Sequence, residues 1–287
     1  MELYDMAAIE GALTLPAMSA AAGDRLRFAR WSPRGEAKAV ILLSHGYAEH
    51  LGRYEHVAAA LNEADYDVFA LDHWGHGRSD GVRGYVPAFS VYRDGVDALL
   101  AEATAAQPSK KRFLIGHSMG GLIAANYLTR AQGAFAGAVL SGPSVKAVDE
   151  PPAPVLFIGR ILSRIAPKSG LIGLDANLVS RDPNVVDAYV NDPLVYRGKI
   201  SARLGAEMLD AMTETLERAT QLSLPLLLLH GGEDGLAAPE GSRLLYERAS
   251  SADKTLKIYD GFFHEIFNDP GKESVIADVV AWLDAHC

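Results

Sequence analysis

Short apolar runs alternate along the chain with longer segments whose apolar residues recur every three to four positions. Residues 25–31, 39–44, 67–71, 112–116, 136–141, 225–230 and 254–259 read as strands, most of them near-continuous in Val, Ile and Leu. A strand that is apolar at every position must be covered on both faces. That pattern predicts a mostly parallel sheet between two layers of helices, an α/β fold. Helices are predicted over 53–64, where Tyr54, Val57, Ala58 and Leu61 share a face, and over 273–285, where Val275, Ile276, Val279, Val280 and Leu283 do. Residues 90–106 also read as helix, and 118–130 as a buried one, because it is apolar nearly all round.

One stretch interrupts the alternation. From Ser141 to Leu224 no strand is obvious; the stretch opens on Pro143 and the cluster Pro151-Pro152-Ala153-Pro154, then gives the amphipathic run VLFIGRILSRIAP. A connection of that length needs structure of its own. We expect residues 143–222 to form a helical cap above the carboxyl edge of the sheet, where open α/β folds bind ligands. The core would then comprise 1–142 and 223–287. The alternative is a pair of extra helices on the flank of the sheet.

Composition narrows the partners. The chain has 287 residues, 49% of them hydrophobic, enough for a large core at the upper end of single-domain size. Its net charge of −9 and the lack of a basic patch beyond Lys110-Lys111-Arg112 argue against nucleic acid. The single cysteine, Cys287, allows no internal disulfide. The opening MELYDMAAIEGALTLP lacks a basic segment ahead of an apolar one, so no signal peptide is expected. No apolar run approaches the length of a membrane span. A cytoplasmic location is the expectation.

The chemistry centres on Gly116-His117-Ser118-Met119-Gly120, between a strand and a helix. A Gly-x-Ser-x-Gly turn between those elements is so tight that the flanking positions tolerate little more than glycine. It lifts the serine Oγ above the sheet. A serine hydroxyl needs a general base, and the base needs a carboxylate to hold its tautomer. Of the histidines after Ser118, His286 ends the last helix and His230 ends a strand with no suitable acid before it. His264 lies in a loop between the last strand and the last helix, from which it can reach the serine. For the acid, Asp234 follows a buried strand on a glycine-flanked turn and is preferred to its neighbour Glu233. Asp260 and Asp269 read as turn or capping residues. Met119 N–H and Tyr47 N–H are the candidate oxyanion donors. His45 and His117 read as loop-shaping residues, and Asp72–Ser79 as a structural loop with no metal or phosphate role, because no third ligand or cradling pattern follows.

Several motifs together resemble one family. His45-Gly46-Tyr47-Ala48-Glu49-His50 with Arg53-Tyr54, then Asp72, Gly75-His76-Gly77-Arg78-Ser79, GHSMGG, Asn191-Asp192-Pro193-Leu194, LLLLHGGEDG and His264-Glu265 look like the monoacylglycerol lipases, in order from about residue 25 to the end. GHSMGG is shared widely among α/β-hydrolases, whereas the first element and NDPL are more specific. The resemblance implies an eight-stranded α/β-hydrolase with a helical cap and no cofactor, cleaving monoacylglycerol to glycerol and a fatty acid. It also implies that Glu49, Arg53 and Tyr189 recognise the glycerol end, although Glu49 and Arg53 also suit a simple i,i+4 pair and Tyr189 suits cap packing. Two positions depart from the family: Tyr47 stands where a smaller or aliphatic residue is usual, and Trp74 where Arg or Gln often stands.

The resulting expectation is a serine esterase acting on a small lipid ester through Ser118, His264 and Asp234. Its apolar cap segment would hold the acyl chain and touch a lipid surface, and no obligate protein partner is implied. Two rivals remain open on the same scaffold: a broader carboxylesterase or lysophospholipase, and a ligand-binding protein without turnover. Serine at the elbow excludes the aspartate-nucleophile dehalogenases and epoxide hydrolases.

Overall fold

The computed structural model describes residues 8–148 and 152–287. The first seven residues of the opening segment and Pro151 of the proline cluster therefore lie outside the described residues. Ten strands follow in chain order: β1 (Ile9–Thr14), β2 (Arg25–Trp31), β3 (Ala39–Ser44), β4 (Tyr66–Leu71), β5 (Arg112–His117), β6 (Gly137–Ser141), β7 (Gly170–Gly173), β8 (Lys199–Ser201), β9 (Leu226–Gly231) and β10 (Lys254–Tyr259). Eight of them form one sheet in the order β1-β2-β4-β3-β5-β6-β9-β10. β2 runs antiparallel to both neighbours, and every pairing from β4 to β10 is parallel. The helices are α1 (Glu55–Glu63), α2 (Ser90–Ala106), α3 (Met119–Leu128), α4 (Ala153–Ile165), α5 (Pro183–Asn191), α6 (Ala202–Glu217), α7 (Pro239–Arg248) and α8 (Lys272–His286). This is the expected α/β-hydrolase architecture.

The apolar runs explain the layering. All six residues of β3 are buried, and they alternate between two cores. Val40 and Leu42 pack on one side with Tyr92 and Val96 of α2 and Leu122 of α3. Ala39, Ile41 and Leu43 pack on the other with Val57 and Leu61 of α1 and Val275 and Val279 of α8. Each such Leu or Ile removed from water contributes about 1.5–3 kcal/mol. Because β3 to β6 and β9 are parallel, their carboxyl ends, and the loops that follow them, share one edge.

β1 is a strand that the apolar pattern does not reveal. It is an edge strand, mostly exposed, and Gly11 in its middle lets the Phe28 ring lie across it: a Cβ there would fall 2.3 Å from Phe28 Cε1. The segment between β6 and β9 also differs from its reading, since β7 and β8 pair antiparallel within it. Both strands are short, and β7 is exposed throughout, so no apolar alternation marks them. The segment also carries α4, α5 and α6, with α4 packed against α6 and the Arg160–Asp210 ion pair at 2.6 Å joining them. It is fastened to the loops of the carboxyl edge. Tyr196 N–H donates to Ala48 O at 2.8 Å, Glu265 N–H to Val179 O at 2.8 Å, and Ser201 N–H to Gly84 O at 2.8 Å.

Candidate active site

Ser118 sits between β5 and α3 with φ 55° and ψ −120°, a left-handed backbone that costs a non-glycine residue about 1–3 kcal/mol. The turn is held from both sides. A Cβ on Gly116 would lie 2.4 Å from Gly120 O, and one on Gly120 would lie 2.1 Å from Ser44 O. Both glycines are thus required by contact: the first lets the turn close, and the second lets α3 rest on the end of β3. Met119 opens α3, so its N–H has no acceptor within the helix.

Ser118, His264 and Asp234 come together in one hydrogen-bonded line. Ser118 Oγ donates to His264 Nε2 at 2.7 Å, and His264 Nδ1 donates to Asp234 Oδ2 at 2.7 Å. An acid on one side and a hydroxyl on the other fix the histidine tautomer with its proton on Nδ1. Burial lowers the basicity of His264, but the Asp234 charge and hydrogen bond outweigh it and leave its pKa above the ordinary value, with Glu265 and Glu49 adding to the rise. Burial likewise works against the Asp234 carboxylate. The His264 charge and hydrogen bonds from His230 and His264 prevail, and its pKa falls well below the carboxylate range. Asp234 Oδ1 accepts from Leu236 N–H and Ala237 N–H at 2.8 and 2.9 Å. Its neighbour Glu233 is exposed.

The loop after β3 runs directly against Ser118, since a Cβ on Gly46 would lie 3.1 Å from Ser118 Cβ. Glu49 shapes that loop: its Oε1 accepts from Gly46 N–H at 2.6 Å and from Tyr54 Oη at 2.7 Å. Behind it, His45 Nδ1 donates to Gly46 O at 2.7 Å and its Nε2 accepts from His73 N–H at 3.0 Å. Burial pushes His45, His76 and His117 each down to about 3, and His73 well below its usual value. These four imidazoles are neutral spacers. The Asp72–Ser79 loop is held structurally: Asp72 Oδ1 accepts from Leu51 N–H and Oδ2 from Arg78 N–H, at 2.8 and 2.7 Å. Among the described residues, no group of three or more acidic, His or Cys side chains could hold a metal ion.

Arg53 lies at the centre of a second buried charge cluster. Its Nη1 donates to Glu49 at 2.9 Å and to Glu265 at 2.5 Å, its Nη2 donates to Glu265 at 2.7 Å, and the guanidinium stacks 4.8 Å above the Tyr189 ring. The i,i+4 pair suggested by the sequence exists, therefore, but as part of a larger network that reaches α5. Burial pushes the Glu49 carboxyl upward, against the pull of Arg53.

Comparison with known proteins places this geometry in a family. Residues 35–271 match the family described as serine aminopeptidase, S33. A monoacylglycerol lipase of Mycolicibacterium smegmatis is 40% identical over 264 residues, covering 92% of this chain and 94% of that protein. The human monoglyceride lipase is 37% identical over 272 residues, covering 94% and 90%. The crystal structure of a Paleococcus ferrophilus monoacylglycerol lipase superposes with a TM-score of 0.83 at 35% identity, covering 91% of this chain and 99% of that one. The chain belongs to the monoacylglycerol lipase family.

Tyr47 and Trp74, which the sequence reading set apart, have different surroundings. Tyr47 is buried in the loop beside Ser118, with its ring 5.7 Å from His76 and 6.5 Å from Tyr196. Trp74 turns the other way, donating from Nε1 to Asp24 at 2.6 Å and packing against Tyr85. Two residues beside Ser118, His264 and Asp234 have contacts that the sequence reading does not assign to them. Asp269, read as a turn or cap residue, is fully buried and accepts from Ser180 Oγ, Arg181 N–H, Arg181 Nε and Phe263 N–H at 2.7–3.0 Å, tying the cap segment to the turn that carries His264. His230, set aside as a base, donates from Nε2 to Ala237 O at 3.1 Å, and the same nitrogen lies 3.0 Å from Asp234 Oδ2. The HGGED spacing that places an imidazole four residues before the acid was the available signal.

Proposed function

We propose that the protein is a serine hydrolase that cleaves monoacylglycerols to glycerol and a free fatty acid through Ser118, His264 and Asp234. The observation that carries the proposal is the unbroken hydrogen-bonded line from Ser118 Oγ to Asp234, in a chain whose relatives are monoacylglycerol lipases. His264 Nε2 takes the Ser118 proton as Oγ bonds to the ester carbonyl carbon. The N–H groups of Met119 and Tyr47 hold the oxyanion. The C–O bond to glycerol then breaks, and the glycerol oxygen takes the proton from His264. Water attacks the acyl-enzyme, giving its proton to His264, and Ser118 recovers a proton as the fatty acid leaves. No step uses a metal or a cofactor.

Glu49, Arg53 and Tyr189 form the polar wall at the glycerol end in this reading. Two carboxylates share one guanidinium there, a set of donors and acceptors suited to hydroxyls. Residues 143–222 act as the cap and enclose the acyl chain. The outer face of α4 is the lipid-facing side: Val155, Phe157, Ile158, Ile161 and Ile165 are exposed, as are Leu171 and Ile172 of β7, the next element in the chain. Leu156, which lies in the same apolar run, is half-buried, so Phe157 and Ile161 are the positions that test contact with a membrane surface. No helix among the described residues is long and apolar enough to cross a membrane.

A hydrolysis panel of mono-, di- and triacylglycerols plus lysophospholipid tests the substrate. Monoacylglycerol should be preferred clearly; preference for any of the others would overturn the assignment. Phe157→Asp or Ile161→Asp should abolish co-sedimentation with phospholipid vesicles while short-chain ester turnover persists. Unchanged vesicle binding would refute the lipid-facing role of α4.

A further inference from the structure

The carboxylate that orients His264 has a second imidazole. His230 is fully buried at the end of β9, and its Nε2 lies 3.0 Å from Asp234 Oδ2, the same oxygen that accepts from His264 Nδ1 at 2.7 Å. The second neighbour of His230 Nε2 is Ala237 O at 3.1 Å. Both partners only accept, so Nε2 must carry a proton. On the opposite edge of the ring, Nδ1 meets the fully buried hydroxyl of Ser242, on α7, at 2.7 Å. The ring is thus clamped between α7 and the acid. It cannot turn over without exchanging a donor for an acceptor at Asp234.

We propose that His230 is a positioning residue of the catalytic machinery: held by Ser242, it shares the Asp234 oxygen with His264, fixing the carboxylate in line and drawing off part of its charge. The inference rests on the assignment of Ser118, His264 and Asp234 given above. A carboxylate oxygen that accepts two imidazole donors holds each more weakly than one that accepts a single donor. His230 therefore moderates the basicity that Asp234 confers on His264. The other groups that face His264 are Glu265 and Glu49, whose charges favour its protonated form, and the His117 ring at 4.9 Å. None of these touches Asp234 Oδ2, so the effect of His230 is separable from theirs.

The two roles predict different readouts. With a soluble p-nitrophenyl ester, His230→Phe should lower kcat by roughly tenfold with little change in KM, as expected for a group one step behind the reacting atoms. It should also raise the acid-side pKa of kcat/KM by roughly half a unit or more, because Asp234 then acts on His264 alone. His230→Gln, which supplies an amide N–H, should restore both values toward those of the parent. Ser242→Ala, a small change in the same chain of bonds, should shift the acid limb in the same direction by less, and it keeps the question open to test if His230→Phe does not fold. In 15N NMR spectra of histidine-labelled protein, the His230 proton should sit on Nε2. An acid limb that stays in place in both His230→Phe and Ser242→Ala, or a proton absent from Nε2, would overturn the inference. Ser118→Ala separates the two levels: if turnover survives there, the underlying assignment fails. If turnover is lost while His230→Phe leaves the pH profile unmoved, only the role of His230 fails.

Discussion

Two groups of buried histidines flank Ser118, and they behave in opposite ways. On one side His264 and His230 meet Asp234. On the other His45, His73 and His76 pack ring against ring, with centroids 4.5–6.5 Å apart. Burial is nearly complete on both sides. What differs is an available anion. Asp234 presents Oδ2 to imidazoles and keeps His264 more basic than usual, whereas Asp72, in the same loop as His73 and His76, uses both oxygens on the N–H groups of Leu51 and Arg78. Without a free acceptor charge, desolvation holds the second group neutral. The same side chain therefore sits as a basic imidazole between Ser118 and Asp234 in one place and as an uncharged spacer behind the loop after β3 in the other.

Removing the anion should break this contrast most severely. Asp234→Asn should lower kcat roughly ten-thousandfold, because an amide in that place favours the wrong His264 tautomer. Steady-state kinetics on monoacylglycerol, with circular dichroism to verify folding, measures it. The histidines that burial holds neutral, His117 among them, should dominate the response to acid. His45, His76 and His117 have folded pKa values near 3 and an unfolded value near 6.5, so the unfolded chain binds more protons as pH falls between those limits. Stability is then complete above about pH 6.5 and falls below it, by about 1.4 kcal/mol per pH unit for each histidine. Urea unfolding at pH 7.5 and 5.5 should show the loss, and equal midpoints would contradict it. The catalytic histidine has the opposite sign. Its raised pKa places the acid limb of kcat/KM above the ordinary histidine value, so activity should still be rising at pH 6.5. The smallest effect belongs to Glu233→Gln, one residue from the acid but exposed, which should alter kcat and stability by no more than about 0.5 kcal/mol.

The legibility of this site from sequence follows the same division. Ser118 and Asp234 are legible because each follows a strand buried on both faces, and parallel strands deliver their carboxyl ends to one edge; His264 follows β10, an edge strand of alternating burial, and is legible only from its place in the loop between the last strand and the last helix. The elbow glycines could be read because contact with Ser44 O and Gly120 O excludes a Cβ. By contrast, the roles of His230 and Asp269 depend on neighbours brought near only by folding: Ser242 on α7 and Arg181 between β7 and α5. β7 and β8 escaped for a related reason, since their pairing spans the segment between β6 and β9, β7 is exposed throughout and β8 has only three residues. β1, with Gly11 under the Phe28 ring, shows how an edge strand loses its alternation when a neighbour occupies the space of its side chain.

The central claim is that Ser118 is the nucleophile made reactive by the anion-bearing side of this contrast. Treatment with a fluorophosphonate followed by peptide mass spectrometry tests it most directly. The adduct should fall on Ser118 alone and should be lost in Ser118→Ala. In Asp234→Asn it should form orders of magnitude more slowly. An adduct on another residue, or labelling of Asp234→Asn at the parent rate, would contradict it.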